Sequence, residues 1–108
     1  MVGMAQIDII HDNEKTTVIG GGTLDFTNSA QFHEGLKQAS LTIDMVIVDL
    51  RTAVFIDTAI VQDLARAAVT LRNRGKRLKV VVAKSKYPLE VLQVSGFGSI
   101  MDIEIETD

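Results

Sequence analysis

The run from Met45 to Ala83 constrains the fold of this chain more than any other part of it. Met45-Val46-Ile47-Val48-Asp49-Leu50 is nearly all apolar, and so is Leu78-Lys79-Val80-Val81-Val82-Ala83. Runs of this kind read as central strands covered on both faces. Between them, Val61, Leu64, Ala68 and Leu71 recur at helical spacing, with Ile60 and Ala65 or Ala67 widening the stripe. Asp57 stands at the N-cap, where a carboxylate accepts an early N–H and meets the positive end of the helix dipole. The helix runs from Thr58 to Arg74, and Gly75 occupies the left-handed position that ends it. Strand, helix and strand then form a βαβ crossover, right-handed by rule. Ala53-Val54-Phe55-Ile56 reads as a short apolar link between the first strand and the helix.

The flanking segments complete an α/β pattern. Ala5–Ile10 and Lys15–Ile19 are β-type runs joined by a polar turn, His11-Asp12-Asn13-Glu14, and predict a hairpin. Gly20-Gly21-Gly22 reads as a break, a flexible turn with positive φ. A phosphate-cradling loop needs Lys-Ser/Thr after its last glycine, whereas Thr23-Leu24-Asp25 follows here. Thr27, Asn28 and Ser29 are N-cap residue types ahead of a helix that carries Phe32, Leu36 and Ala39 on one face. Past the crossover, Pro88 opens a short helix, Ser95-Gly96 stops it, and Phe97 is expected to fold back over its end. Ile100 to Ile105 alternates apolar and acidic residues, as a last strand with one wet face does. The order ββαβαβαβ describes a small α/β sandwich with a mixed sheet of four to five strands, read as one domain over residues 1–108.

Charge and composition exclude several functions. A net charge of -3 argues against a binder of nucleic-acid phosphates. No apolar run approaches the roughly 20 residues that span a bilayer. Met1–Ala5 lacks the basic flank and apolar stretch of a signal peptide, so a cytoplasmic location is expected. The absence of Cys removes thiol chemistry and thiolate metal sites. His11 and His33 each lack a second ligand at metal spacing and read as exposed side chains, so no metal and no cofactor is expected. Asp49 reads as a carboxylate satisfied by a nearby backbone N–H or by Arg51. Arg66, Arg72, Arg74, Lys76 and Arg77 read as the solvated basic end of the long helix. An enzyme would need Asp25, Asp49 and Asp57 to converge as metal or acid/base carboxylates; no His or Lys stands at useful spacing beside them, and the expectation is a non-enzyme.

The residues alone lead to a hydroxyl, Thr58, presented at a helix start. Five short motifs in order extend this. Gly22-Thr23-Leu24-Asp25, Val48-Asp49-Leu50, Phe55-Ile56-Asp57-Thr58, Arg74-Gly75-Lys76-Arg77-Leu78 and Val94-Ser95-Gly96-Phe97 together resemble the STAS family, the fold of bacterial anti-sigma-factor antagonists. The resemblance implies a regulatory protein whose hydroxyl after the Asp is phosphorylated by an anti-sigma factor with serine/threonine kinase activity. The unmodified form binds that anti-sigma factor, and a protein phosphatase resets the switch. On this reading Thr58 is the phosphoacceptor, and Asp25, Asp57, Thr58, Ala59 and Ile60 form the partner-binding surface. The family's switch has a Gly where this chain has Ile60, which puts bulk where a kinase approaches. Asp-Thr followed by apolar residues is similar to the STAS domains of stressosome scaffolds, which work by assembly. A further branch serves phospholipid-transport complexes without requiring phosphorylation. The resemblance leaves monomer, homodimer and larger assembly open.

Overall fold

The computed structural model describes residues 5–12, 14–42 and 45–107. The elements are β1 (Gln6–His11), β2 (Lys15–Leu24), α1 (Ser29–Thr42), β3 (Met45–Asp49), β4 (Ala53–Ile56), α2 (Thr58–Asn73), β5 (Leu78–Ala83), α3 (Tyr87–Ser95), a short 3-10 turn (Phe97–Ser99) and β6 (Met101–Glu106). They build a six-stranded mixed sheet in the order β1-β2-β3-β5-β6, with β4 paired to β2 off that path. The hairpin β1–β2 is antiparallel, and every other pairing is parallel. Residues 1–4, and Asn13 of the turn expected from the sequence, lie outside the described residues.

Two expectations about strands are corrected. The segment Ala53–Ile56 is a strand, not a link: it runs parallel to the second half of β2, pairing Gly22 with Ala53, Thr23 with Phe55 and Leu24 with Ile56. The glycine run is likewise inside β2 and does not break it. A Cβ on Gly21 would lie 2.6 Å from Thr52 Oγ1, so the close approach of the β3–β4 turn requires glycine there. Gly22 alone of the three has positive φ, at 72°, and it sits where the β2–β4 register shifts at a bulge.

The sheet is covered on one face. Val18 of β2, Val46 and Val48 of β3, and Leu78, Val80 and Val82 of β5 point inward. They share one apolar core with Phe32 and Leu36 of α1, Ile60, Leu64 and Leu71 of α2, and Leu89 and Leu92 of α3. The alternate residues Thr17, Ile19, Ile47, Asp49 and Lys79 face the other way and are only partly covered, while Val81 and Ala83 at the end of β5 are buried on that face. The expectation that β3 is covered on both faces is therefore corrected: side chains from all three helices enter the same core, and Met45 is half exposed. Helix ends follow local chemistry. Asp57 caps α2, Gly75 follows it at φ 74°, Pro88 sits in the first turn of α3, and Gly96 ends α3 at φ 75°. The expected packing of Phe97 concerns a side chain outside those described.

Candidate functional site

The site is built where β2 and β4 end side by side. Leu24 pairs with Ile56, and the Asp57 N–H donates to the Leu24 carbonyl at 3.1 Å, so the chain leaving β4 is tied to the end of β2 before α2 begins. Asp57 Oδ1 then accepts from the N–H groups of Ala59 at 3.0 Å and Ile60 at 3.3 Å. Two of the four orphan donors of the helix start are satisfied by that one oxygen. Thr58, the first helical residue, is exposed, and Asp57 and Ala59 are partly exposed beside it. Asp25 follows Leu24 directly and is brought to the same end of the molecule. Its carboxylate braces its own turn: Oδ1 accepts from the Thr27 N–H at 2.9 Å and from the Thr27 hydroxyl. Asn28 closes that turn, its Oδ1 accepting from the Asp25 N–H and its amide donating to the Thr23 carbonyl.

Ile60 is not part of this surface. Its side chain is fully buried in the core, so as a partner-contacting side chain it is corrected, and it places no bulk in the path of an approaching protein. Within the first turn of α2 the stripe already faces inward, and Ile60 is a core position.

Asp49 lies elsewhere, at the end of β3 on the outer face. Arg51 meets it with its backbone N–H at 3.0 Å and with Nη2 at 2.7 Å. Partial burial pushes the Asp49 carboxyl up, but the Arg51 hydrogen bonds and charge outweigh it and hold the group below its ordinary value. Asp25, Asp49 and Asp57 thus each serve a local structural bond. Among the described residues no three His, Cys, Asp or Glu side chains gather as a metal-holding group. His33 is not simply a solvated side chain: its Nδ1 lies 2.9 Å from Oδ1 of the buried Asp63 on α2.

Sequence reasoning missed the apolar part of the site. Phe55 of β4 stacks on Tyr87 at the start of α3, with ring centroids 5.6 Å apart and planes 3° from parallel. Both rings are substantially exposed, as is Val54 beside them. A signal was available: Tyr87 is the only Tyr of the chain, placed against Pro88, in a sequence that is only 5% aromatic. What hid the pair is the separation of 32 positions from Phe55 to Tyr87, which no local pattern bridges.

The domain is one-sided α/β, with a capped helix start at Asp57 and exposed aromatic rings at Phe55 and Tyr87. The sequence itself places it: residues 10–103 match the family model described as Mlab, STAS domain, and the chain belongs to the STAS domain family. Its fold is that of SpoIIAA. The anti-sigma factor antagonist SpoIIAA in its unphosphorylated form superposes with a TM-score of 0.74 at 18% identity, over 97% of this chain and 90% of that one. The phosphorylated form of SpoIIAA, a Bacillus cell fate determinant, gives 0.69 at 18% identity, over 97% and 93%. A Thermotoga maritima protein described as a candidate anti-sigma factor antagonist gives 0.78 at 14% identity, over 94% and 86%. No curated protein sequence matches the chain. Among the described residues no helix is long and apolar enough to cross a membrane.

Proposed function

We propose that this chain is a regulatory binding protein of the anti-sigma-factor-antagonist type. It docks a cytoplasmic anti-sigma factor with serine/threonine kinase activity and is released by phosphorylation of Thr58. The observation that carries the reading is the exposed Thr58 at the start of α2, flanked by a carboxylate already spent on the helix cap. A phosphate there adds about -1.5 to -2 charges and three acceptor oxygens. The N–H groups of Ala59 and Ile60 are occupied by Asp57, so the new charge has little to gain from the helix end and stands beside a like charge. It projects outward, and the fold loses little. A partner seated over Thr58, Phe55 and Tyr87 has to desolvate a dianion, and a penalty of about 3 kcal/mol already weakens binding more than a hundredfold. The protein itself performs no chemistry on this reading, and a phosphatase restores the free hydroxyl.

A second reading has one observation behind it: the matching family description is Mlab, STAS domain. In that case the same surface docks a subunit of a phospholipid-transport assembly, and Thr58 is a contact without modification. Intact-mass analysis of the protein purified from its native host separates the two. The switch requires a fraction carrying one phosphate, placed on Thr58 by fragmentation and gone in Thr58→Ala. An unmodified parent, or a phosphate that survives in Thr58→Ala, rejects the switch. In either case Phe55→Ala weakens capture of the partner.

A further inference from the structure

The groove between α1 and α2 lies away from the Thr58 surface. Thr70 stands twelve residues after Thr58 on α2, about 18 Å along the helix. The groove holds a half-open pocket of about 190 Å³, where the buried aliphatic Leu36 and Ala67 lie among the polar His33, Ser40, Asp63 and Thr70. A cavity of about 150 Å³ lined by apolar groups already accepts a benzene ring, so this one has room for an aliphatic side chain. The rim is cationic. Lys37 and Arg66 border the opening from opposite helices, and Arg66 is largely exposed. The single acid of the groove, Asp63, is buried and already bonded: it accepts from His33 Nδ1 at 2.9 Å and has Arg66 Nη1 at 4.0 Å. At the far end Arg74 bonds the Ser40 carbonyl, placing a further cation on the same seam.

This placement runs against the chain as a whole, which carries a net charge of -3. Its acids concentrate elsewhere, above all at Asp102, Glu104 and Glu106 along β6. We propose that the α1–α2 groove is a second docking surface that receives an acidic segment of a partner protein, with one aliphatic side chain in the cavity and carboxylates against Lys37 and Arg66. The aliphatic pair favours a peptide over a bare phosphate or a nucleic-acid backbone, because neither of those packs against Leu36 and Ala67. Complementary charge sets encounter rate and salt sensitivity, and the buried aliphatic anchor sets residence. A partner held here leaves the surface around Thr58 open.

Selection of displayed helical peptides against the whole chain tests this, followed by mapping of the winners on the isotopically labelled protein. Binders enriched in Asp and Glu around a Leu or Ile, shifting the amides of Leu36, Ala67 and Thr70, are expected. Their affinity falls with added salt and drops roughly tenfold in Lys37→Glu/Arg66→Glu. Thr70→Trp, which keeps every charge and obstructs the groove, weakens binding as well; unchanged melting temperatures show that both variants are folded. The inference is overturned if the binders lack acidic enrichment or map to Phe55–Thr58, if Thr70→Trp leaves binding intact, or if inorganic phosphate or anionic vesicles produce the same shifts.

Discussion

Replacing Asp57 by Ala isolates the helix start from the hydroxyl that follows it. One oxygen of this side chain serves the N–H groups of both Ala59 and Ile60. Ile60 is fully buried, so water has poor access to its N–H once the carboxylate is gone. Loss of an N-cap side chain costs about 0.5–2 kcal/mol. Two released donors, one of them shielded, place this case at about 1–2 kcal/mol. For a domain near 100 residues each kcal/mol lowers the melting temperature by about 4–8 °C. The expected drop is then at least about 4 °C, read by far-UV circular dichroism and checked by urea unfolding with an unchanged slope. Asp57→Asn keeps an acceptor and recovers most of the loss, short of about 0.3–1 kcal/mol for the charge near the helix dipole. Thr58→Ala, by contrast, stays within about 1 kcal/mol of the parent, as surface substitutions do. An Asp57→Ala protein that melts with the parent, or an Asn variant as damaged as the Ala one, refutes the capping role and with it the account of why phosphate at Thr58 finds no partner in the helix end.

Other perturbations follow from packing and charge. Gly21→Ala sets a Cβ against Thr52 Oγ1 and costs about 1–3 kcal/mol; the double variant with Thr52→Ala recovers much of it, and a double variant no better than the single one argues against that contact. Leu64→Ala empties part of a fully buried position and costs about 2–5 kcal/mol by denaturant titration; a smaller loss means the core collapses onto the gap. The Asp49 carboxyl is held below its ordinary 3.8 by Arg51. The folded state therefore favours the ionised form, and the stability this contributes is present above about pH 4 and lost as pH falls through the depressed value. In Arg51→Met the partly buried carboxyl keeps the backbone N–H of residue 51 but loses the guanidinium's bonds and charge, so the downward pull weakens against desolvation. The stability gap between parent and variant is then widest near neutral pH and closes on acidification. A gap independent of pH rules out Asp49 as its source.

Much of this architecture can be read from local signals. The apolar runs of β3 and β5, the stripe of α2, the Asp57 cap, Pro88 in the first turn of α3 and the left-handed Gly75 and Gly96 all act within a few residues of themselves. What escaped reading depends on distant partners. β4 is four residues long, and its ladder is supplied by β2, some thirty positions earlier. Gly21 is explained by Thr52 and not by its neighbours. His33 with Asp63, and Phe55 with Tyr87, are pairs made by packing. The hydroxyl at the helix start was legible because its cap is local; the aromatic rings beside it were not.

Besides its hairpin partner β1, the ten residues of β2 serve two further neighbours in succession, β3 along the first half and β4 along the second, with a bulge at Gly22 and Thr23 after the first β4 pair. The segment leading to Thr58 is consequently moored by a separate short ladder, outside the main file of strands. Tugging on it need not unzip β3 from β5. Ala53 and Ile56 still anchor that ladder in the common core, so the short strand is held by packing as well as by β2.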